Sequence, residues 1–392
     1  MIEGQQRQFD AIIVGAGLMG SATAWSLSRR GRSVLLVEQY APATINGSSH
    51  GSARIVRRAY GDALYTQLTG QAFELWRELE QQSGSSVLRM LGGVDFGPKR
   101  DLDTVAAHLT AQRVPHELMS AREAEALWPG MNFDGRVVFH PQAGTMDAAC
   151  AVESFVGAAA RLGAHVLQDT EVVAVVPGDR GAEVELASGQ RIASAAVVVA
   201  AGAWIGPLLT PVVELPALTV TQQQIFHFPR LDPSAEPWPS VIHHNAQIYH
   251  LAGGRDGGPG EDRKIAEHHR GTPTTARGRS GGVDPDSRSR VVDYVKSWLP
   301  GLDPAPGREA TCLYTSTPRE DFVLDRIGGL VICSPCSGHG AKFAPLIGEL
   351  TADLVTSPDT AQIPNRFRLA AHRPGAGLAG RIKCRFRRAW AG

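Results

Sequence analysis

The chain has 392 residues, 43% of them hydrophobic and 20% charged, with 39 basic residues against 39 acidic ones. That length exceeds one ordinary domain of about 100–200 residues, so two are expected, and the composition suits a soluble protein with a sizeable core. A net charge of zero excludes a protein built mainly to hold nucleic acid or an anionic membrane surface.

Met1 to Phe9 has no apolar leader, and no apolar run reaches the roughly 18 residues needed to span a membrane, so a cytoplasmic protein is expected. Phe9–Val14 (FDAIIV) reads as a buried parallel strand ending at Gly15. Met19–Arg30 reads as a helix stopped by Gly31, and Ser33–Glu38 as a second strand. This strand–helix–strand unit opens a doubly wound sheet. Ala63–Gln82 has helical periodicity through Leu64, Leu68, Phe73, Leu75, Trp76 and Leu79. Short strands follow at Gly93–Phe96 and Val137–Phe139, then a helix over Cys150–Leu162. Val166–Val176, Ala182–Leu186 and Arg191–Ala201 read as strands, and 218–251 is rich in β pattern. Gly253–Gly282 is dense in Gly, Pro and charge and reads as a long loop, with only Lys264–His269 less loop-like. Asp286–Trp298 is a helix, Gly329–Ser334 (GLVICS) a strand and Ala344–Val355 a further helix.

These elements predict an α/β protein with a discontinuous Rossmann-like dinucleotide-binding domain, formed by 1–88, 146–215 and 306–364. An α+β substrate domain with an antiparallel sheet would comprise 89–145 and 216–305. Residues 365–392 carry eight basic residues and no acid, which predicts a poorly ordered, solvated tail. The five cysteines are an odd, sparse set unlike a disulfide framework. Cys333 and Cys336 form a C-x-x-C without a second ligand pair, so no metal site is expected. Lysine is scarce: Lys99, Lys264, Lys296, Lys342 and Lys383 are the only ones among the 39 bases.

Gly15-Ala16-Gly17-Leu18-Met19-Gly20 is a G-x-G-x-x-G placed between a strand and a helix. Gly15 allows the tight turn, Gly17 lets backbone approach a diphosphate, and Gly20 permits close helix–strand packing. The free N–H groups at the helix start favour an anion. Glu38 ends the second strand, where a carboxylate accepts from ribose hydroxyls and repels a 2′-phosphate. FAD and NAD share this motif. The apolar strand ending Ala201-Gly202-Ala203-Trp204 favours FAD, because it resembles the second dinucleotide-side motif of FAD-dependent amine oxidases.

Three further segments carry a specific resemblance. They are Asn46–Gly61 (NGSSHGSARIVRRAYG), Thr311-Cys312-Leu313-Tyr314-Thr315 with Asp321–Asp325 after it, and Ser337-Gly338-His339-Gly340-Ala341-Lys342-Phe343. Together they resemble the monomeric sarcosine oxidase and N-methyltryptophan oxidase family, whose members oxidise N-methyl or cyclic secondary amino acids with FAD. The likeness runs from about residue 9 to 355.

That resemblance implies FAD attached covalently through Cys312, and Arg57 and Lys342 holding the substrate carboxylate. It implies Gly338, His339 and Gly340 turning backbone N–H groups toward the cofactor. Lys264 takes the role of oxygen-activating cation, with His268 beside it. His50 and Arg54 line the flavin face, and Tyr314 joins the catalytic set. It further implies a small amino-acid substrate, O2 as partner, hydrogen peroxide as product and a monomeric protein. Two departures leave the substrate open: His250 follows Ile248-Tyr249 where sarcosine-active members have Tyr, and Ala53 replaces a Thr before the first arginine. His250 is therefore a candidate substrate contact. A cyclic imino-acid oxidase of secondary metabolism, and a dehydrogenase with a non-oxygen acceptor, are the alternatives.

Overall fold

A computed structural model describes residues 8–373. Its first sheet is built around Phe9–Val14, which pairs in parallel with Val34–Val37 on one side and Arg191–Val199 on the other. His165–Leu167 extends the sheet beyond Val34–Val37. The outer edge of Arg191–Val199 is shared. Its first half pairs antiparallel with Ala182–Leu186, and its second half pairs in parallel with Leu330–Ser334. Alternate residues of Phe9–Val14 feed two cores. Ala11 and Ile13 pack with the helices Leu18–Arg29, Ala148–Arg161 and Ala344–Thr356, while Phe9, Ile12 and Val14 pack on the opposite face. Coverage on both faces is what a continuous apolar run in a parallel sheet requires.

A second, nine-stranded sheet is antiparallel except where Ser240–His243 pairs in parallel with Gly93–Phe96. The helix Pro285–Trp298 packs on it through Val291, Tyr294 and Val295. A three-stranded antiparallel sheet joins Arg54–Val56, Gly144–Met146 and Leu88–Met90.

Four expectations change. Val166–Val176 is two strands, His165–Leu167 and Val172–Pro177, separated where Asp169 turns with φ 49°. The expected loop Gly253–Gly282 contains Arg263–Glu267, a fully buried strand inside the second sheet. Arg308–Ser316, expected in the dinucleotide-binding part, is bonded instead along Thr219–Phe228 of the second sheet. The expected tail also differs over 365–373. Phe367 and Leu369 are buried, and Arg366 forms ion pairs with Asp62 and Asp321. Residues 374–392 lie outside the described residues. Among the described residues no helix is long and apolar enough to cross a membrane.

Candidate active site

A cavity of about 850 Å³ runs from Gly15 and Glu38 past Cys312 and Lys264 to Arg57 and Lys342. At its first end Gly15 turns with φ +99°, and the helix Leu18–Arg29 begins directly after Gly17. A Cβ on Gly20 would lie 1.8 Å from the Gly15 oxygen, so the helix can approach the strand only with glycine there. Glu38 Oε2 accepts from Ala16 N at 2.7 Å and Oε1 from Tyr40 N at 3.1 Å. Burial pushes this carboxyl up, and those hydrogen bonds oppose the rise. Trp204 also lines this end, and its buried Nε1 has no hydrogen-bond partner among the described residues.

In the middle, Cys312 sits on the strand Arg308–Ser316, with Sγ 3.7 Å from Arg54 Nη2. The same Nη2 donates to Ser48 O and His50 O, which pins the 48–54 loop around the sulfur. Burial alone would raise the thiol, but Arg54, His50 and Lys264 outweigh it and bring it down to about 6. A cysteine largely ionised at neutral pH is a ready nucleophile. Lys264 donates from Nζ to Ala53 O at 2.8 Å. Burial and the Arg54 charge draw its ammonium down to about 7.

At the far end Arg57 stacks over the Tyr60 ring at 4.5 Å, and Lys342 Nζ lies 5.6 Å from the same ring. Lys342 Nζ donates to His339 O at 2.7 Å. Burial first, then Arg57, hold that ammonium well below its usual range. Asp95, fully buried, accepts from Arg57 Nη1 at 2.9 Å and pairs with His244 Nε2 at 2.8 Å. Against the penalty of burial, Arg57 and His244 keep this carboxyl well below the usual range. His268, His269 and Glu320 converge, with His268 Nε2 3.6 Å and His269 Nδ1 3.2 Å from Glu320 Oε1. Burial pushes the Glu320 carboxyl up to about 7, and burial with the neighbouring His269 holds His268 down to about 3. Tyr314 and Tyr249 share a hydrogen bond at 3.3 Å. Gly338 turns with φ +72°, and a Cβ there would come 2.6 Å from Tyr314 and 2.9 Å from His268.

The fold thus brings most of the expected residues to one cavity: Gly15, Gly17, Glu38, Arg54, Arg57, Lys264, His268, Cys312, Tyr314, Gly338, His339, Gly340 and Lys342. His250 is not among its lining. It lies on the other side of the second sheet, where its Nδ1 accepts from Arg263 Nε at 2.9 Å and its ring faces Tyr294. Successive residues of a strand point to opposite faces, so Tyr249 takes the cavity side. His50 and Gly20 are also not among the cavity lining: His50 neighbours Cys312, whose thiol it lowers, and Gly20 packs against Gly15. Sequence reasoning missed Asp95, Arg100, His244, Tyr249 and Glu320. The signal for Asp95 was a lone acid inside the buried strand G-V-D-F.

The long cavity, the glycine turn at a helix start and a low-lying thiol midway fit an elongated dinucleotide such as FAD. The fold and this site define a flavoprotein oxidoreductase acting on CH–NH groups. The chain belongs to the FAD dependent oxidoreductase family, which it matches over residues 10–354, and within it to the group of monomeric sarcosine oxidase and N-methyltryptophan oxidase. It is 31% identical over 369 residues to peroxisomal sarcosine oxidase of Homo sapiens, covering 89% of this chain and 93% of that protein. It is 29% identical over 361 residues to N-methyl-L-tryptophan oxidase of Yersinia pestis (strain Pestoides F), covering 88% and 94%. Among solved structures, the open form of NikD, an unusual amino acid oxidase essential for nikkomycin biosynthesis, superposes with a TM-score of 0.81 at 25% identity, covering 93% and 98%.

Proposed function

We propose that the protein oxidises a secondary α-amino acid, N-methylated or cyclic, to an imine that water then hydrolyses, and that it works as a monomer. The observation that carries this reading is the pair of cations, Arg57 and Lys342, held against one aromatic ring at the end of the cavity. A guanidinium grips a carboxylate through two parallel hydrogen bonds, and an ammonium adds a point charge. Binding FAD requires neither. Sarcosine and N-methyltryptophan, the compounds named for the relatives, share a carboxylate and a secondary nitrogen.

The chemistry supplied by bound FAD is two-electron oxidation of the carbon–nitrogen bond, with dioxygen reduced to hydrogen peroxide. Gly15, Gly17 and the start of the helix Leu18–Arg29 would hold its diphosphate, Glu38 its ribose, and Cys312 Sγ would form its covalent link. Backbone N–H groups of Gly338, His339 and Gly340 would face it, Arg54 would line its ring, and His50 would act through Cys312, whose thiol it lowers. Arg57 and Lys342 fix the substrate carboxylate. Glu320, with a carboxyl near 7, takes the proton of an incoming ammonium nitrogen and frees the lone pair that drives the oxidation. His268 and Tyr314 border the same space in their neutral forms. Lys264 presents a positive charge where dioxygen accumulates negative charge.

Acid precipitation of the purified protein tests the covalent link. The pellet is expected to stay yellow in the wild type and to lose its colour in Cys312→Ser; a colourless wild-type pellet would refute the link. A peroxide-coupled screen over sarcosine, N-methyl amino acids, proline and pipecolate tests the reaction. Silence across all of them would sink the substrate class. Flavin reduction by one of them without peroxide would favour a dehydrogenase.

A further inference from the structure

Arg57 and Lys342 do not exhaust the positive charge at the substrate end. Arg100, shortly after the strand Gly93–Phe96, lines the same cavity. Its side chain is only 18% exposed, and its nearest carboxylate oxygen, Asp95 Oδ1, stands 3.8 Å from Nη2. Its buried Nε has no hydrogen-bond partner among the described residues. Asp95 is already committed, since the same Oδ1 accepts from Arg57 at 2.9 Å and meets His244 at 2.8 Å. Glu320 lies against His268 and His269. Two guanidiniums, Arg57 and Arg100, therefore share the Asp95 carboxylate, and Lys342 stands beside Arg57 at the Tyr60 ring.

A guanidinium carries five N–H donors. Leaving the buried Nε–H unmet costs free energy that an anion bound along the guanidinium recovers. The Arg100 guanidinium packs against the Gly61 backbone, where a Cβ would lie 2.9 Å from Nη1. Gly61 directly follows Tyr60, whose ring carries Arg57 and Lys342. Arg100 is thus a neighbour of the carboxylate clamp, yet one α-carboxylate accounts only for the other two cations.

Resting on the secondary-amine reading above, we propose that the preferred substrate carries a second acidic group, as an N-alkyl aspartate or glutamate does, and that Arg100 selects for it. The α-carboxylate sits on Arg57 and Lys342, and the side-chain carboxylate meets Arg100 on the side away from Asp95. A charge-assisted hydrogen bond of this kind discriminates by about ten- to a hundredfold.

The test compares kcat/KM of the holoenzyme for N-methyl-L-aspartate and N-methyl-L-glutamate with that for N-methyl-L-alanine and N-methyl-L-leucine. The acidic pair is expected to lead by about tenfold or more, and Arg100→Gln to collapse that ratio. Succinate, followed by its perturbation of the flavin absorption spectrum, is expected to bind the wild type more tightly than propionate, and Arg100→Gln to abolish the difference. Equal kcat/KM for acidic and neutral substrates would overturn the inference and leave the secondary-amine reading standing. So would an Arg100→Gln enzyme that loses both activities in equal proportion, since that marks a purely structural arginine. Failure of every N-methyl amino acid to reduce the flavin anaerobically would overturn the reading beneath it.

Discussion

Lys264 donates to a backbone carbonyl from inside a strand, and burial beside Arg54 draws it to about 7, against the opposing charges of Cys312 and Asp256. An ordinary lysine stays charged to about 10.4; this one loses its proton as pH rises through neutrality. If its charge assists dioxygen, flavin reoxidation is expected to slow as pH rises through about 7. Lys264→Met should be flat with pH and about a hundredfold slower. Stopped-flow mixing of reduced enzyme with oxygenated buffer measures both. The residue scale is also where the sequence was least legible. Lys264, Cys312, Arg57 and Lys342 stood in recognisable motifs, and the fold brings them to one cavity. His250 was picked because it follows Tyr249, but adjacency along a strand means opposite faces. Asp95 and Arg100 carry no motif, and only folding shows Asp95 meeting both Arg57 and Arg100.

Helices were the most readable elements. Asp62 caps Ala63–Ser83 by accepting from Leu64 N, and Gly84 ends it with φ 72°; both follow from ordinary capping preferences. The strand Arg263–Glu267 was hidden because its sequence, R-K-I-A-E, looks like surface. Each charged group is satisfied internally: Arg263 by His250 and Trp238 O, Lys264 by Ala53 O, Glu267 by Ser287 and Arg290. The glycine turn offers a prediction at this scale. Gly20→Ala puts a methyl 1.8 Å from the Gly15 oxygen, which must push the helix off the strand and distort the turn. The variant is expected to purify with markedly less flavin than wild type, read from the ratio of absorbance at 450 to 280 nm. Unchanged flavin content would show that the turn tolerates the shift.

Across the whole molecule, charge is segregated and then joined. The C-terminal segment is basic, and its described part closes onto acids of the body, Arg366 onto Asp62 and Asp321, Arg368 onto Asp325. Between these pairs Phe367 is fully buried against Tyr65 and Phe322, with ring centroids 6.0 and 5.1 Å away. A basic run in a sequence reads as solvated tail because nothing local tells which acids will face it. Phe367→Ala is expected to cost about 3–5 kcal/mol of stability, read as a shift of the urea midpoint. A change below about 0.5 kcal/mol, the scale of a surface substitution, would mean the segment contributes little to the folded body.

The strand that bears Cys312 is bonded into the second sheet, while the glycine turn belongs to the first. A flavin bonded to that sulfur would give the first sheet a ligand that dilution cannot remove, held at an effective concentration set by the fold. Ligand-linked stability ordinarily rises with free ligand. Here the wild-type Tm should be indifferent to added FAD, while that of Cys312→Ser should climb with it. Tethering in this sense converts a dissociable cofactor into part of the covalent architecture, so that saturation no longer depends on supply.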